Sequence, residues 1–174
     1  MTHALVVTAV CIAIALEASA APRTTTHAPA VRGRPLRIAA ALCSVLLLVS
    51  TGLAVASTQA PWIAAFAGTL IVAGGLLRAK AMRNLGSHFR TEAGASALVT
   101  TGIHGRMRHP SELGLLCWVV GLWLAAPGPW ATALALAQLP LLAMRLRIED
   151  AALAARFGPA WAAYAASTPR FSLR

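Results

Sequence analysis

The stretch IAAALCSVLLLVSTGLAVAS, residues 38–57, runs for twenty positions without a charge. A helix of that length covers about 30 Å, the depth of a bilayer's hydrocarbon core. It therefore reads as a membrane span. A polar, basic loop rich in Pro and Thr precedes it at 22–37. After it the break at Thr58-Gln59-Ala60-Pro61 is tight, so the next apolar run, Trp62 to Leu77, is expected to return antiparallel. Trp62 is placed to anchor at the interface. Small residues at Ala60, Ala64 and Gly68, then at Ala67, Ile71 and Gly75, allow close helix approach, and both spans read as scaffold.

The rest of the chain agrees. Of 174 residues, 58% are hydrophobic and 11% charged, and the apolar residues fall in long runs. That pattern excludes an ordinary soluble domain. Further runs lie at 4–21, 113–126 and 130–144, which makes five spans. For the first, a cleaved signal peptide competes, because Ala18-Ser19-Ala20 resembles a cleavage site. A retained span is favoured: His3 precedes the run with no Lys or Arg, and four arginines follow it. Glu17 is expected at the interface or facing the bundle.

The net charge of +10 would ordinarily suggest a nucleic-acid partner. Its distribution argues against one. All fifteen Lys and Arg fall in 22–37, in 78–108 and from Arg145 onward, whereas the connections near 58–61 and 126–129 carry none. Alternating basic and uncharged loops follow the positive-inside rule and place the N-terminus outside and the C-terminus in the cytoplasm. Cys11, Cys43 and Cys117 each sit inside an apolar run, without metal-ligand or redox spacing.

Two polar islands interrupt the hydrocarbon: LVTTGIHGRMRHPSELG at 98–114 and RLRIED at 145–150. Between them lies an apolar hairpin that turns at Pro127-Gly128-Pro129. Its arms are short, about 22 Å each, so the helices are expected to continue into polar sequence on the cytoplasmic side. Pro140 should bend the second arm. Helical pattern continues to about Arg156 and stops at Phe157-Gly158-Pro159; Trp161 and Tyr164 then share a helical face at the membrane interface. The hairpin sets Arg108, His109 and Glu112 beside Arg145, Arg147, Glu149 and Asp150. From spacing alone this constellation is either a site or an ionic lock on the hairpin. His104 and His109 straddle Gly105 with no third ligand near, so no metal site is expected. No Ser or Cys nucleophile stands at an elbow, and hydrolase chemistry is not indicated.

A resemblance goes further. In order come Leu85-Gly86 with Phe89, Leu98-Val99-Thr100-Thr101-Gly102, Arg108-His109-Pro110 with Gly114, then past the hairpin Glu149-Asp150, Leu153, Phe157-Gly158, Tyr164 and Pro169-Arg170-Phe171. This ordered set resembles the isoprenylcysteine carboxyl methyltransferase family, integral membrane enzymes that use S-adenosylmethionine. The smaller prokaryotic members share the five-span topology. The resemblance implies a single all-α integral membrane domain over 1–174, with scaffold at 1–77 and a catalytic region at 78–174. Ser96, Ala97, Leu98 and Val99 would lie along the cofactor through backbone contacts. His104 stands where the family has a cofactor-contacting Tyr. His109, Pro110, Ser111 and Glu112 would wrap the cofactor, Glu149 would hold its polar end, and Arg145 takes the substrate-contacting arginine position. Arg145 and Glu149, four apart, are also placed to pair with each other.

The implied reaction gives an ester and S-adenosylhomocysteine. A carboxylate is ionised at neutral pH and needs no general base, so positioning and exclusion of water carry the catalysis. A guanidinium at Arg145 suits a carboxylate. The chain departs from the family at His104 and Glu112, which replace tyrosines, and at Asp150, which replaces Glu. A new acid beside the methyl donor favours an amine or neutral acceptor over a carboxylate. The expected acceptor is a lipophilic small molecule or prenylated group entering from the bilayer, with the site at the cytoplasmic face of the plasma or inner membrane. No nucleic acid and no obligate protein partner are expected. The alternatives are N-methylation of a phospholipid or other lipophilic amine, and a non-catalytic membrane scaffold.

Overall fold

The computed structural model describes residues 6–12, 14, 34–54, 60–86 and 97–171. Every regular element among them is helical: residues 6–12, α1 (Arg34–Ala54), α2 (Pro61–Leu85), a 3₁₀ turn (Gly102–Gly105), α3 (Pro110–Ala125), α4 (Pro129–Phe157) and α5 (Pro159–Ser167). The readings placed on Glu17, Ala18–Ala20, residues 22–33 of the 22–37 loop, Thr58-Gln59, Phe89 and Ser96 lie outside the described residues. The last four residues of that loop, 34–37, are instead the first turn of α1, which proline near a helix start permits.

Among the described residues two helices, α2 and α4, are long and apolar enough to cross a membrane, and α3 is a shorter apolar helix of 16 residues. Proline at the first turn starts α2, α3, α4 and α5, where its missing N–H leaves no bond unmade. Both α2 and α4 extend past their apolar runs into polar sequence. α2 continues eight residues past Leu77, because Arg78, Lys80, Met82 and Arg83 are good helix formers, and it ends at Gly86 with φ 52°. α4 carries on from Met144 to Phe157, as the short arm required, and turns into α5 through Gly158 at φ 49°.

Antiparallel α2 and α3 form the tightest pair. A Cβ added at Gly114 would come within 2.6 Å of the Gly74 carbonyl oxygen, and one at Gly121 within 2.9 Å of the Ala67 carbonyl oxygen. Glycine at both positions lets the backbones touch, which replaces hydrophobic driving force with dispersion contact in lipid. Ala64, Ala67, Gly68, Ile71 and Gly75 are all buried, as their spacing predicted, with Gly68 turned toward Ala9; Ala60, just before the helix, is half-buried.

Helix α1 packs chiefly on α4 and also on α3: Gln138 donates to Ser44 Oγ (2.7 Å), and the Thr51 hydroxyl to the Leu122 carbonyl (3.2 Å). The apolar core gathers Val6, Ala9, Leu47, Ile71, Val119 and Leu122. Val45, Leu46, Phe66, Leu136 and Leu139 point outward, the pattern expected of helices facing lipid. Trp62 and Trp130 begin α2 and α4 at the same end of the bundle and are 72% and 78% exposed, where interface anchors belong.

Candidate functional site

The hairpin is pinned at both ends. Near its turn, Trp123 Nε1 donates to Thr132 Oγ1 at 2.9 Å. At the open end, Arg145 from α4 meets Glu112 from the first turn of α3 at 3.0 Å. Glu112 is 3% exposed; its Oε1 takes the arginine, and Oε2 is buried with no hydrogen-bond partner among the described residues. The two polar islands therefore meet, as the hairpin predicted, and Arg145 is engaged by an acid 33 residues away rather than free.

One turn further along α4, Asp150 collects three cationic or donor groups. His109 Nε2 lies 2.8 Å from Oδ1, Arg170 NH2 3.0 Å from Oδ2, and Arg108 NH1 3.9 Å from Oδ2. His109 Nδ1 stands 3.9 Å from Glu149 Oε2, so the imidazole lies between the two acids. Arg108 lies 5.8 Å from the Trp161 ring centroid, a cation–π contact, while its buried Nε has no partner among the described residues.

The C-terminal arm closes the assembly. Arg108 N–H donates to the Pro169 carbonyl (2.9 Å) and His109 N–H to the Arg170 carbonyl (3.2 Å). The Tyr164 hydroxyl donates to the His104 carbonyl (2.6 Å), and burial pushes that phenol up to about 12 against the pull of Arg108. Trp161 and Tyr164 stack edge to face at 5.6 Å, both buried against Leu153 with Leu98 beside them. They share one face as predicted, and that face packs inward.

On the other side, Asn84 in the last turn of α2 donates to the Thr101 carbonyl (3.0 Å) and lies 3.2 Å from His104 Nδ1. A carbonyl only accepts, so the amide nitrogen faces this way and Nδ1 must accept its second hydrogen. His104 is thus neutral with its proton on Nε2. Gly102, at φ 62°, lets Asn84 pack where any Cβ would collide with its side-chain oxygen. Arg78 donates to the Ser111 carbonyl (3.1 Å) and hydroxyl (3.2 Å), tying α2 to the start of α3.

Burial, and then the His109 imidazole, lower the His104 pKa from 6.5 to about 4. The folded state refuses a proton that the unfolded chain takes up below 6.5. The stability is therefore whole above that pH and is lost as pH falls toward 4. Between pH 7 and pH 5 this amounts to about 2 kcal/mol. Melting curves at the two pH values should show that loss in the wild type and a smaller one in His104→Gln; equal losses would refute the assignment.

Residues 62–160 match the phospholipid methyltransferase family. The chain belongs to that family. Among the relatives of this family member is protein-S-isoprenylcysteine O-methyltransferase B of Arabidopsis thaliana. It is 35% identical over 115 residues, which cover 62% of this chain and 58% of the plant protein. A solved structure of the eukaryotic intramembrane Ras methyltransferase, isoprenylcysteine carboxyl methyltransferase, shares the fold at TM-score 0.55 and 24% identity. The match covers 82% of this chain and 53% of that one. The resemblance read from the sequence is borne out, and the chain spans a little over half the length of both relatives.

Of the residues that the resemblance singled out, His109 lies beside Glu149, Glu112 pairs with Arg145, Ser111 bonds Arg78 and His104 meets Asn84, while Pro110 opens α3 between them. Ala97, Leu98 and Val99 run without helix or strand, half-buried, and Leu98 reaches Trp161 and Tyr164 through the small C-terminal core. Ser96 is not among the described residues. Arg108 and Asp150 join this end of the hairpin as its geometry predicted, whereas Arg147, expected there too, is exposed. Asn84 and Arg78 enter unannounced, and Tyr164 and Arg170, named among the motif residues, bond into it. The motif Arg108-His109-Pro110 and the acidic pair signalled Arg108 and Asp150. Nothing local marked Asn84 or Arg78, because the extension of α2 is visible only in the fold.

Proposed function

We propose that this chain is a membrane-embedded methyltransferase that uses S-adenosylmethionine and acts on a lipophilic acceptor, most like the carboxyl O-methylation named for its isoprenylcysteine relatives. The observation that carries this reading is the convergence, at the open end of the hairpin, of Glu112, Arg145, His109, Glu149 and Asp150, partly buried and incompletely bonded. The cofactor's chemistry fits that donor set. Its ammonium and hydroxyl groups suit the Glu149 carboxylate beside His109, and its carboxylate suits the unpartnered Nε of Arg108. Bound there, it would supply an electrophilic methyl group on a sulfonium.

The roles follow residue by residue. Ser96, Ala97, Leu98 and Val99 would line the cofactor through the backbone, His104, Pro110 and Ser111 would shape its pocket, and His109, Glu112 and Glu149 would hold it. Arg145 would orient the acceptor, and the arm from Trp161 to Phe171 would exclude water. Residues 1–77 serve as scaffold and 78–174 as the catalytic region. On this reading the chain crosses the membrane five times and works at the cytoplasmic face of the plasma or inner membrane, which the alternation of basic and uncharged loops supports. A prenylated or similar acceptor arrives from the bilayer and S-adenosylhomocysteine is the product. A second reading, transfer to a lipophilic amine, is favoured by one observation: Arg145 is already neutralised by Glu112.

Binding of S-adenosylmethionine to the detergent-purified chain tests the reading. Saturable binding by the wild type is expected, weakened at least tenfold in Glu149→Ala and in His109→Ala, each of which leaves the other side chain alone. A well-folded wild type that does not bind the cofactor would leave the ionic cluster as a lock on the hairpin.

A further inference from the structure

Resting on the methyltransferase reading of the site, and on the second, amine branch of it, we infer that Glu112 is a specificity-determining residue. It sits on Arg145 as an internal carboxylate and turns the acceptor end of the site away from carboxylates and toward an amine on a lipophilic chain.

The geometry makes Glu112 the fixed partner of this pair. Its side chain is 3% exposed against 29% for Arg145, and it projects from the first turn of α3, just after Pro110. The guanidinium, the more exposed of the two, therefore has its charge already met. An incoming carboxylate must either displace Glu112 or become a second anion around one cation, with Glu149 and Asp150 close by. Burial makes like charges in such a site expensive to hold. An amine meets neither obstacle. In its ammonium form it is attracted to the acids; uncharged, it still carries an N–H.

The second carboxylate oxygen supplies the attraction. Glu112 Oε2 is buried and accepts no hydrogen bond from any described residue. A buried carboxylate oxygen left unbonded is costly, and an N–H donor on the acceptor would relieve that cost. A carboxylate acceptor brings no hydrogen and leaves Oε2 as it was. The same acid thus both repels one acceptor class and lacks the bond that the other provides. Were Glu112 only a strut between α3 and α4, its removal would weaken both acceptors alike.

The discriminating quantity is a ratio, in which changes in folding or cofactor affinity cancel. Two amphiphiles with one farnesyl chain, ending in a carboxylate or in a primary amine, serve as probes. Their dissociation constants are measured on the full-length detergent-purified chain without methyl donor, and their kcat/KM values with it. The wild type is expected to bind the amine at least tenfold more tightly. Glu112→Gln, which keeps the shape and removes the charge, should move both ratios at least tenfold toward the carboxylate. Glu112→Tyr, which also frees Arg145, should move them in the same direction. Ratios that stay put, or that move toward the amine, overturn the inference. Failure of the methyltransferase reading would show separately, as absence of transfer to either probe by protein that binds them, while the binding ratio still judges Glu112.

Discussion

Arg145→Ala is expected to lower the stability of the detergent-solubilised chain by about 3 kcal/mol, and to remove methyl transfer with it. The stability term comes from what the arginine leaves behind. Glu112 is 3% exposed and its charge is met at 3.0 Å by Arg145, with Oε2 taking no bond from the described residues. Deleting the cation strands a buried anion, and breaking a buried pair costs far more than the pair contributes net. The cost sits in the abandoned carboxylate, so it should be recoverable. Arg145→Met together with Glu112→Gln removes both charges, keeps most of the volume, and should restore the greater part of the lost stability. Thermal melts of wild type, single and double variants read this directly. If the double variant is no more stable than Arg145→Ala alone, the pair is not what holds the open end of the hairpin. Activity should separate from stability: the double variant regains its fold but not an acceptor-orienting guanidinium.

The sequence announced the helical membrane architecture, because uncharged runs and alternating basic loops obey rules that need no tertiary information. It also placed the two polar islands together, since a tight turn at 127–129 leaves no other arrangement for Glu112 and Arg145. What stayed hidden depends on backbone approach and on helix length. Gly74 received no special reading, yet its carbonyl is where Gly114 comes down on α2. Neighbouring Gly75 and Gly68 look equivalent on paper, and only the register between helices tells them apart. Arg78 and Asn84 lie past the apolar run that stops at Leu77, whereas α2 continues to Leu85 and presents Arg78 to Ser111 and Asn84 to the loop at 101–104. Arg145 with Glu149, four apart on one helix, was the pair that local spacing offered. The structure adds a long-range claim on the same arginine, which no periodicity could reveal. Asp150 was visible as half of an acidic motif, but its place as the meeting point of Arg108, His109 and Arg170 required the C-terminal arm to fold back.

That meeting point makes Asp150→Ala the substitution with the largest expected effect on cofactor binding, a weakening of about 100-fold or ~2.7 kcal/mol. Asp150 is 15% exposed, accepts from His109 Nε2 at 2.8 Å and pairs with Arg170 at 3.0 Å, with Arg108 at 3.9 Å. Without it, the His109 ring loses the acceptor that fixes its orientation, with Nδ1 toward Glu149. Arg108 and Arg170 lose their shared counter-ion at the same time, which loosens the contacts by which residues 169–170 bond to the backbone of 108–109. Effects in one such network exceed the sum of its pairs. The conservative replacements should fall in order. Asp150→Glu keeps the charge and restores most of the affinity. Asp150→Asn keeps an acceptor for His109 but offers N–H to the arginines, and should be intermediate. A purely structural role would instead lower the melting temperature of all three variants while leaving cofactor affinity unchanged wherever the protein remains folded. Asp150→Ala binding S-adenosylmethionine within twofold of the wild type would reduce these contacts to an exposed ion pair of small consequence.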